Sequence, residues 1–296
     1  MESSHKVGLF VGISYGLAAA MGGALAISDV GYGGLIGSVF AVLYMFTPML
    51  AVIAVQLLAG EKPFHHLSVR PRLNRWLLAG SLGTLVLVFA AMLAGFVLPG
   101  LSYDPSIDAI LERFGGMLSP EQLAEARQEL ESLPVHPAFL SLPQILIAGA
   151  TLNALFAFGE EIGWRGLLYR ELSHLGFWKT SLFTGIIWGF WHAPIILVGH
   201  NYPDHPVPGV FLFVVICVLL SPLHTLIRQR SGTVWGAAIC HGTFNAAAGL
   251  PLLVTAGGND LEVGVTGLAG VIGMTAANLI LAAWMALSGR AERSTP

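Results

Sequence analysis

The chain has 296 residues, of which 55% are hydrophobic and only 10% are charged, with a net charge of −3 at pH 7 and a mean hydropathy of +0.73. A soluble domain carries about 25% charged residues, so this composition indicates a polytopic membrane protein. The lack of a basic tail or acidic run argues against a nucleic-acid partner. Cys217 and Cys240 lie in apolar stretches, which is typical of buried residues and not of disulfides or thiolate metal sites.

Apolar stretches of about 20 residues, the length of a membrane helix, recur along the chain. They predict one integral-membrane domain over 1–296, an all-α bundle of about eight transmembrane helices at 7–28, 34–59, 75–98, 143–169, 180–199, 209–227, 233–255 and 263–288. The polar lead and small residues of the first stretch also fit a cleavable signal peptide. Its length and the four-residue spacing of Gly8, Gly12 and Gly16 favour a permanent helix.

The Lys and Arg residues fall mainly on one side of the predicted spans. With a cytoplasmic N-terminus, that side receives Lys6, Lys62, Arg70, Arg72, Arg75, Arg170, Lys179, Arg228, Arg230, Arg290 and Arg293. The opposite side receives Arg113 and Arg127, both in one long loop. The positive-inside rule then predicts that both termini are cytoplasmic.

The segment 104–133 is the one sizeable stretch expected outside the membrane. Its Ser119-Pro-Glu-Gln122 start, followed by Leu123, Ala126 and Leu130, predicts a capped amphipathic helix. Such a helix could lie on the lipid surface or cover an opening, and a simple connecting loop is an equal alternative. The next exterior loop contains His200 and His205, which we interpret as solvated.

Charged residues interrupt the apolar stretch at 153–171, where Glu160, Glu161 and Arg165 occur together. Ionised groups at membrane depth cost at least a few kcal/mol and usually mark function. Glu161 and Arg165 stand four residues apart, so they can pair on one helix face. We therefore interpret them as a structural ion pair and Glu160, which lacks an obvious local partner, as the reactive group. A solvated helix end is the alternative.

Two further predicted spans contain polar residues at a similar depth. His192 lies in the fifth span, beside a kink expected at Pro194. His241 and Asn245 share one face of the seventh span. With a rise of 1.5 Å per residue, Glu160, His192 and His241 lie roughly 12–18 Å below the cytoplasmic boundary. The sequence thus predicts a polar active-site cavity in the membrane, open towards the cytoplasmic side.

The motifs Glu160-Glu161-x-x-x-Arg165, Trp188-x-x-x-His192 and His241-x-x-x-Asn245 resemble, in order, those of the CAAX prenyl protease and bacteriocin-processing (CPBP, or Abi) family of intramembrane proteases. The resemblance covers a catalytic core at about 140–250 and implies an endopeptidase. One departure is Trp188, where the family usually has Phe.

The resemblance implies roles for these residues. Glu160 would activate the attacking water as general base and His192 would help to hold it. His241 and Asn245 would face the oxyanion, and Glu161 and Arg165 would brace Glu160. These roles agree with the chemistry of buried carboxylates and oxyanion donors.

A divalent metal such as zinc is compatible with the pattern, because Glu160, His192 and His241 are suitable ligands. A metal-free glutamate–histidine mechanism is equally compatible. His224 is one extra histidine that could approach the site. The sequence lacks the His-Glu-x-x-His, Gly-x-Ser-Gly and Gly-x-Gly-Asp patterns of the other intramembrane protease classes.

The leading interpretation is hydrolysis of a membrane-associated peptide, prenylated CAAX proteins included, near the cytoplasmic side of the bilayer. One alternative is a non-catalytic bacteriocin-immunity or scaffold protein with the same fold. Another is a proton- or ion-coupled transporter that uses the glutamates and histidines as a relay. The sequence does not indicate the natural substrate or the oligomeric state.

Overall fold

The computed structural model describes residues 1–28, 34–115 and 118–288. Arg290 and Arg293, which contributed to the predicted orientation, lie outside the described residues. The chain is an all-α bundle, as predicted, with one small antiparallel strand pair. Its helices are α1 (Ser3–Ala26), α2 (Gly34–Met45), α3 (Thr47–Leu58), α4 (Arg75–Gly95), α5 (Ile107–Gly115), α6 (Pro120–Ser132), α7 (Pro137–Ala150), α8 (Leu152–Glu161), α9 (Tyr169–Leu172), α10 (Phe177–Trp191), α11 (Ala193–Ile196), α12 (Pro206–Ser231), α13 (Val234–Ala247) and α14 (Leu268–Ser288). A π-helical segment, Ile162–Leu168, joins α8 to α9.

Five helical stretches in the described residues are long and apolar enough to cross a membrane: Ser3–Ala26, Ile36–Leu58, Arg75–Gly95, Pro206–Ser231 and Leu268–Leu287. The count becomes six if α6 and α7, which meet at 90°, form one broken span. The helices that are individually long and apolar enough are therefore fewer than the about eight predicted spans. The polar motifs lie in three predicted spans that are built from shorter or charged helices, namely 143–169, 180–199 and 233–255. These shorter helices lie among the five longer helical stretches.

One end of the bundle gathers most of the described Lys and Arg residues, and we call it the basic end. It comprises the start of α1, residues 60–74, residues 169–179 and residues 228–235. Glu61 forms ion pairs there with Lys6 and Arg170, and the side chain of Asn74 donates to the backbone oxygen of Ser231. Burial opposes ionisation of Glu61, but hydrogen bonds from Lys6 and Arg170 lower the pKa of its carboxyl to about 2.

The opposite end, which we call the hairpin end, comprises residues 98–107, 200–205 and 251–266. Strands β1 (Leu101–Tyr103) and β2 (Thr255–Gly257) pair there in antiparallel fashion, with Ser102 opposite Ala256. Arg113 on α5 donates to the backbone oxygens of Thr255 and Gly257. These contacts hold α5 against the strand pair at the hairpin end.

The helix predicted from Ser119 is present as α6. The Ser119 side chain accepts from the backbone of Gln122, and the Gln122 side chain accepts from the backbone of Ser119. This reciprocal pair satisfies two otherwise unpaired donors at the helix start. The preceding helix α5 was not predicted, because its nine residues are too short for a clear apolar repeat.

The motif helices pack closely because glycines face neighbouring backbones. A Cβ atom on Gly185 or Gly189 of α10 would lie 2.6 Å from the Val218 Cα or 2.5 Å from the Val214 Cα of α12. Gly242 of α13 similarly approaches the backbone of Ala154 on α8. Small residues let membrane helices come together in this way. Helices α8, α10, α12 and α13 therefore surround one interior volume.

Candidate active site

The interior volume is a cavity of about 230 Å³ lined by residues from all three sequence motifs. Glu160, His192, His241 and Asn245 contribute to its wall, together with Trp188. Glu160, His192 and His241 are buried, whereas Asn245 is exposed. The predicted reactive residues therefore share one cavity, although α8, α10 and α13 are far apart in the sequence.

Glu160 lies at the last turn of α8 and is 2% exposed. Its Oε2 accepts a hydrogen bond of 2.8 Å from the indole nitrogen of Trp188 and a longer one of 3.3 Å from that of Trp164. The expectation that Glu160 has no local partner is wrong, because Trp164 stands four residues further on the same helical face. Both donors stabilise a carboxylate at this position without neutralising it.

Glu161 and Arg165 form the predicted ion pair, with 3.0 Å between the Arg165 Nη1 and the Glu161 Oε1. Both side chains are essentially inaccessible, at 0% and 1% exposure. Arg165 also donates to the Ser221 hydroxyl at 2.8 Å, and its backbone oxygen accepts from Arg228 at 2.9 Å. The pair thus joins α8 to α12. The additional contacts are expected, because a buried charge is stable only with several hydrogen-bond partners.

Glu161 also contacts the third motif. The His241 Nδ1 lies 2.9 Å from the Glu161 Oε1. Because an ionised carboxylate only accepts hydrogen bonds, the Nδ1 of His241 must carry the proton. The geometry fixes the ring and leaves its Nε2 for the cavity. Glu161 is therefore a bridge between Arg165 and His241, which the sequence spacing alone did not indicate.

His192 lies at the break between α10 and α11, next to Pro194, as predicted from the proline. Its backbone N–H donates to Gly189, three residues back, where the regular helical pattern ends. The His192 Nδ1 lies 2.9 Å from the carbonyl oxygen of Trp188 and donates to it. The Nε2 of His192 is then left for the cavity.

Trp188 contacts four other residues of this site, although the sequence motif places it only four residues before His192. Its indole donates to Glu160, its carbonyl accepts from His192, and the Arg165 Cζ lies 4.7 Å from its ring centroid. The His241 ring meets it edge-on at 5.1 Å. In the sequence motif Trp188 stands out only as a departure from the usual Phe. The relevant signal was the indole N–H, a donor that phenylalanine lacks.

The ligand set predicted for a metal does not come together in the described part of the chain. The three groups whose ligand atoms all lie within 4.8 Å of one another are Glu161, His224 and His241. Glu161 is already paired with Arg165 and accepts from His241 through the same oxygen. A second cation there would meet the guanidinium charge and compete for that oxygen. Neither this group of three nor the set Glu160, His192 and His241 fits a divalent ion well.

His224 is buried, with its Nδ1 donating 3.0 Å to the carbonyl oxygen of Leu220. Its Nε2 has no protein partner. Its ring lies 5.9 Å from that of His241 but behind the cavity wall, since Leu220 lines the cavity and His224 does not. His224 thus approaches the site without reaching its open volume.

The cavity extends from Glu160 towards the hairpin end. Its other lining residues include Ala41, Ala248, His200, Asn201 and Thr266, all on the hairpin side of Glu160. The sequence predicted a cavity open towards the cytoplasmic side, which the positive-inside rule equates with the basic end. The membrane side on which this cavity opens stays a prediction.

The region that contains the three motifs is similar to known proteins. Residues 142–247 match the model of the type II CAAX prenyl endopeptidase Rce1-like family, close to the predicted core of 140–250. A 52-residue stretch is 42% identical to CAAX prenyl protease 2 of Methanococcus maripaludis, and covers 17% of this chain and 19% of that relative. Residues 142–247, which contain all three motifs, are thus similar to the Rce1-like type II CAAX prenyl endopeptidases, and this similarity supports a membrane protease of the CAAX/CPBP type.

Proposed function

We propose that this protein is an intramembrane endopeptidase in which Glu160 activates the attacking water, and that its substrate is a membrane-associated peptide, with prenylated CAAX peptides as one class to test. The observation that supports this most directly is the shared cavity of Glu160, His192, His241 and Asn245. The family match to residues 142–247 supports the reaction class.

Glu160 is suited to the role of general base by its surroundings. Its only protein hydrogen-bond donors in the described residues are two neutral indoles, and it has no direct ion pair of the kind that holds Glu161. A carboxylate without a cationic partner keeps more of its basicity. Glu160 faces the cavity, where a water can reach it, whereas Glu161 does not.

His192 and His241 then have different tasks. His192 donates through Nδ1 to Trp188, so its Nε2 can accept a hydrogen bond from the attacking water. His241 faces the cavity through Nε2 and can stabilise an oxyanion only if that nitrogen also carries a proton. Glu161 acts as the counter-ion for such a doubly protonated ring. The amide of Asn245 supplies a second donor.

The balance of the reaction follows from these positions. Water gives a proton to the Glu160 carboxylate as its oxygen bonds to the scissile carbonyl carbon. The carbonyl oxygen takes up negative charge beside His241 and Asn245. The C–N bond then breaks and the Glu160 carboxyl returns the proton to the leaving amine. This is a glutamate-type hydrolysis in which the residues of the chain provide every proton transfer.

A quenched fluorescent peptide with a farnesylated C-terminal CAAX sequence tests the proposal on purified, detergent-solubilised protein. Glu160→Gln keeps the size of the side chain and should lower the cleavage rate by about 10²–10⁴-fold, the usual contribution of a general base. Glu125→Gln, an exposed glutamate on α6, is the matched control and should cleave like the parent. Equal rates for Glu160→Gln and the parent would refute the assigned role.

The same assay separates glutamate-type from metal-dependent hydrolysis. A chelator such as 1,10-phenanthroline should leave the parent rate unchanged, because the converging ligand atoms adjoin Arg165 and do not include Glu160 or His192. Inactivation by the chelator, reversed by added zinc, would show that the proposed mechanism is wrong while leaving the protease class intact.

A further inference from the structure

We propose that the basic end holds a binding site for the headgroup phosphate of an anionic phospholipid, built from Arg72, Arg75 and Arg230 around the ring of Trp76. We call the three arginines the arginine cluster. The proposal is independent of the peptidase function, because none of these residues lines the cavity beside Glu160. Phospholipid headgroups lie on both sides of a bilayer, so the proposal requires no particular orientation of the chain.

The arginine cluster lies where two candidate membrane spans end. Arg75 is the first residue of α4 and Arg230 is the penultimate residue of α12, and both helices are long and apolar enough to cross a membrane. Residues at the ends of such helices lie at the level of the lipid headgroups. The cluster is therefore placed where a lipid phosphate is within reach of its side chains.

The segment before α4 is clamped to the turn between α12 and α13. The side-chain nitrogen of Asn74 donates to the backbone oxygens of Arg72 and Ser231, at 3.1 and 3.0 Å. On the other side of the turn, the Trp235 indole donates 3.0 Å to the backbone oxygen of Val69. These bonds fix the backbone of the segment relative to the end of α12. The cluster is thus held together before a ligand binds, which lowers the entropic cost of binding.

The guanidinium groups gather around Trp76 and the end of α12. The Cζ atoms of Arg75 and Arg230 lie 5.6 and 5.5 Å from the centroid of the Trp76 ring, distances at which the ring attracts a cation. A Cβ atom on Gly232, two residues after Arg230, would lie 3.1 Å from the Arg72 Nη1. The cluster therefore brings together cations from two distant segments of the chain.

The positive charge of the cluster is not neutralised by a carboxylate in the described part of the chain. Two acidic residues of the basic end, Glu61 and Glu171, are already paired with Lys6 and Arg170. Guanidinium groups stay charged at any physiological pH, and like charges held near one another repel. An anion bound among them removes this repulsion.

The surface beside the cluster favours a lipid as the source of that anion. Guanidinium groups offer a planar fork of donors that matches the oxygens of a phosphate, and basic residues next to a membrane span attract anionic lipids. Leu78, Leu82 and Val86 are exposed and continue the face of α4 that begins with Arg75. An acyl chain can lie along these apolar side chains while the phosphate contacts the arginines. Phosphatidylglycerol has both parts.

Native mass spectrometry of the purified full chain in detergent tests the proposal. The protein is titrated with phosphatidylglycerol, with phosphatidylcholine and with soluble glycerol phosphate. We expect one saturable phosphatidylglycerol site that binds this lipid at least about tenfold more tightly than phosphatidylcholine. The double variant Arg75→Gln with Arg230→Gln should bind it about 10–100-fold more weakly, because hydrogen bonds to charged groups are lost.

The matched control is Lys62→Gln with Lys179→Gln, which removes the same charge from two exposed residues at the same end and should bind like the parent. An equal loss in this control, or parent-like binding by Arg75→Gln with Arg230→Gln, would overturn the site. Equal binding of the two lipids would overturn the preference for an anionic lipid. Glycerol phosphate bound as tightly as phosphatidylglycerol would indicate a site for free phosphate and refute the assignment to a lipid.

A second pair of changes separates phosphate recognition from simple charge attraction. Arg75→Lys with Arg230→Lys keeps both charges but removes the fork of donors, and should bind phosphatidylglycerol more weakly than the parent. Parent-like binding would contradict a site built for phosphate. This pair also replaces the glutamine pair if that variant does not accumulate.

Discussion

Removal of the Arg165 charge should destabilise the protein far more than loss of an ordinary ion pair. The change Arg165→Met keeps a long side chain but leaves Glu161 buried at 0% exposure with its guanidinium partner gone. His241 remains as one donor to Glu161. The Ser221 hydroxyl and the face of Trp188 lose the contacts that Arg165 provides.

The size of the effect follows from the burial of the pair. Breaking a buried ion pair by removing one partner costs about 3–5 kcal/mol, because the remaining charge is desolvated and unpaired. Exposed pairs show no comparable loss, since water replaces the missing partner. The pair Arg127–Asp108, with side chains 45% and 78% exposed, therefore provides the matched control Arg127→Met.

The measurement is equilibrium unfolding in mixed micelles with increasing denaturing detergent, followed by tryptophan fluorescence. Arg165→Met should unfold at a markedly lower denaturant fraction, and Arg127→Met at the parent value. The double variant Glu161→Gln with Arg165→Met should recover part of the loss, because no charge is then left unpaired. Parent-like unfolding of Arg165→Met would refute the claim that this pair is a structural brace.

Three further changes test other contacts. Trp188→Phe removes one donor to the proposed base and should lower kcat/KM by about tenfold and move the acidic limb of the pH–rate profile to higher pH; an unchanged profile would limit Trp188 to packing. The pKa of Glu61 is lowered to about 2 from 4.5, so its stabilising effect is present above pH 4.5 and lost as the pH falls towards 2. The stability gap between the parent and Glu61→Gln should close over that range, and a gap independent of pH would contradict this. Gly189→Ala places a Cβ atom 2.5 Å from the Val214 Cα and should reduce stability in the unfolding assay, whereas Gly12→Ala, with no atom within 4 Å, should not.

The sequence was sufficient for features set by local chemistry. Hydropathy predicted a helical membrane protein, because unpaired backbone groups are too costly in lipid. The four-residue spacing predicted the Glu161–Arg165 pair, the Ser119 signal predicted the start of α6, and Pro194 predicted the break beside His192. Motif order gave the resemblance to the CAAX protease family, and the family model matches residues 142–247. The ion pair, the helix start and the helix break each depend on residues within one or two helical turns of each other.

The site itself required contacts between distant segments. Sequence spacing left Glu160 without a partner, but folding brings Trp188 to 2.8 Å from it across 28 residues, and joins His241 to Glu161 across 80. In the described residues the ligand atoms that packing gathers belong to Glu161, His224 and His241, and not to the set named for a possible metal. Local sequence patterns do not predict that the Trp188 indole contacts Glu160 or that the His241 imidazole contacts Glu161.

The direction of the cavity shows the same division between sequence and tertiary structure. The distribution of Lys and Arg along the chain determined which end is expected in the cytoplasm, because charge resists translocation residue by residue. Only the tertiary structure decided that the volume beside Glu160 is lined by residues such as Asn201 and Thr266 from the hairpin end. Glycines of α10 approach α12 and a glycine of α13 approaches α8, and the shape of the cavity depends on all four helices at once.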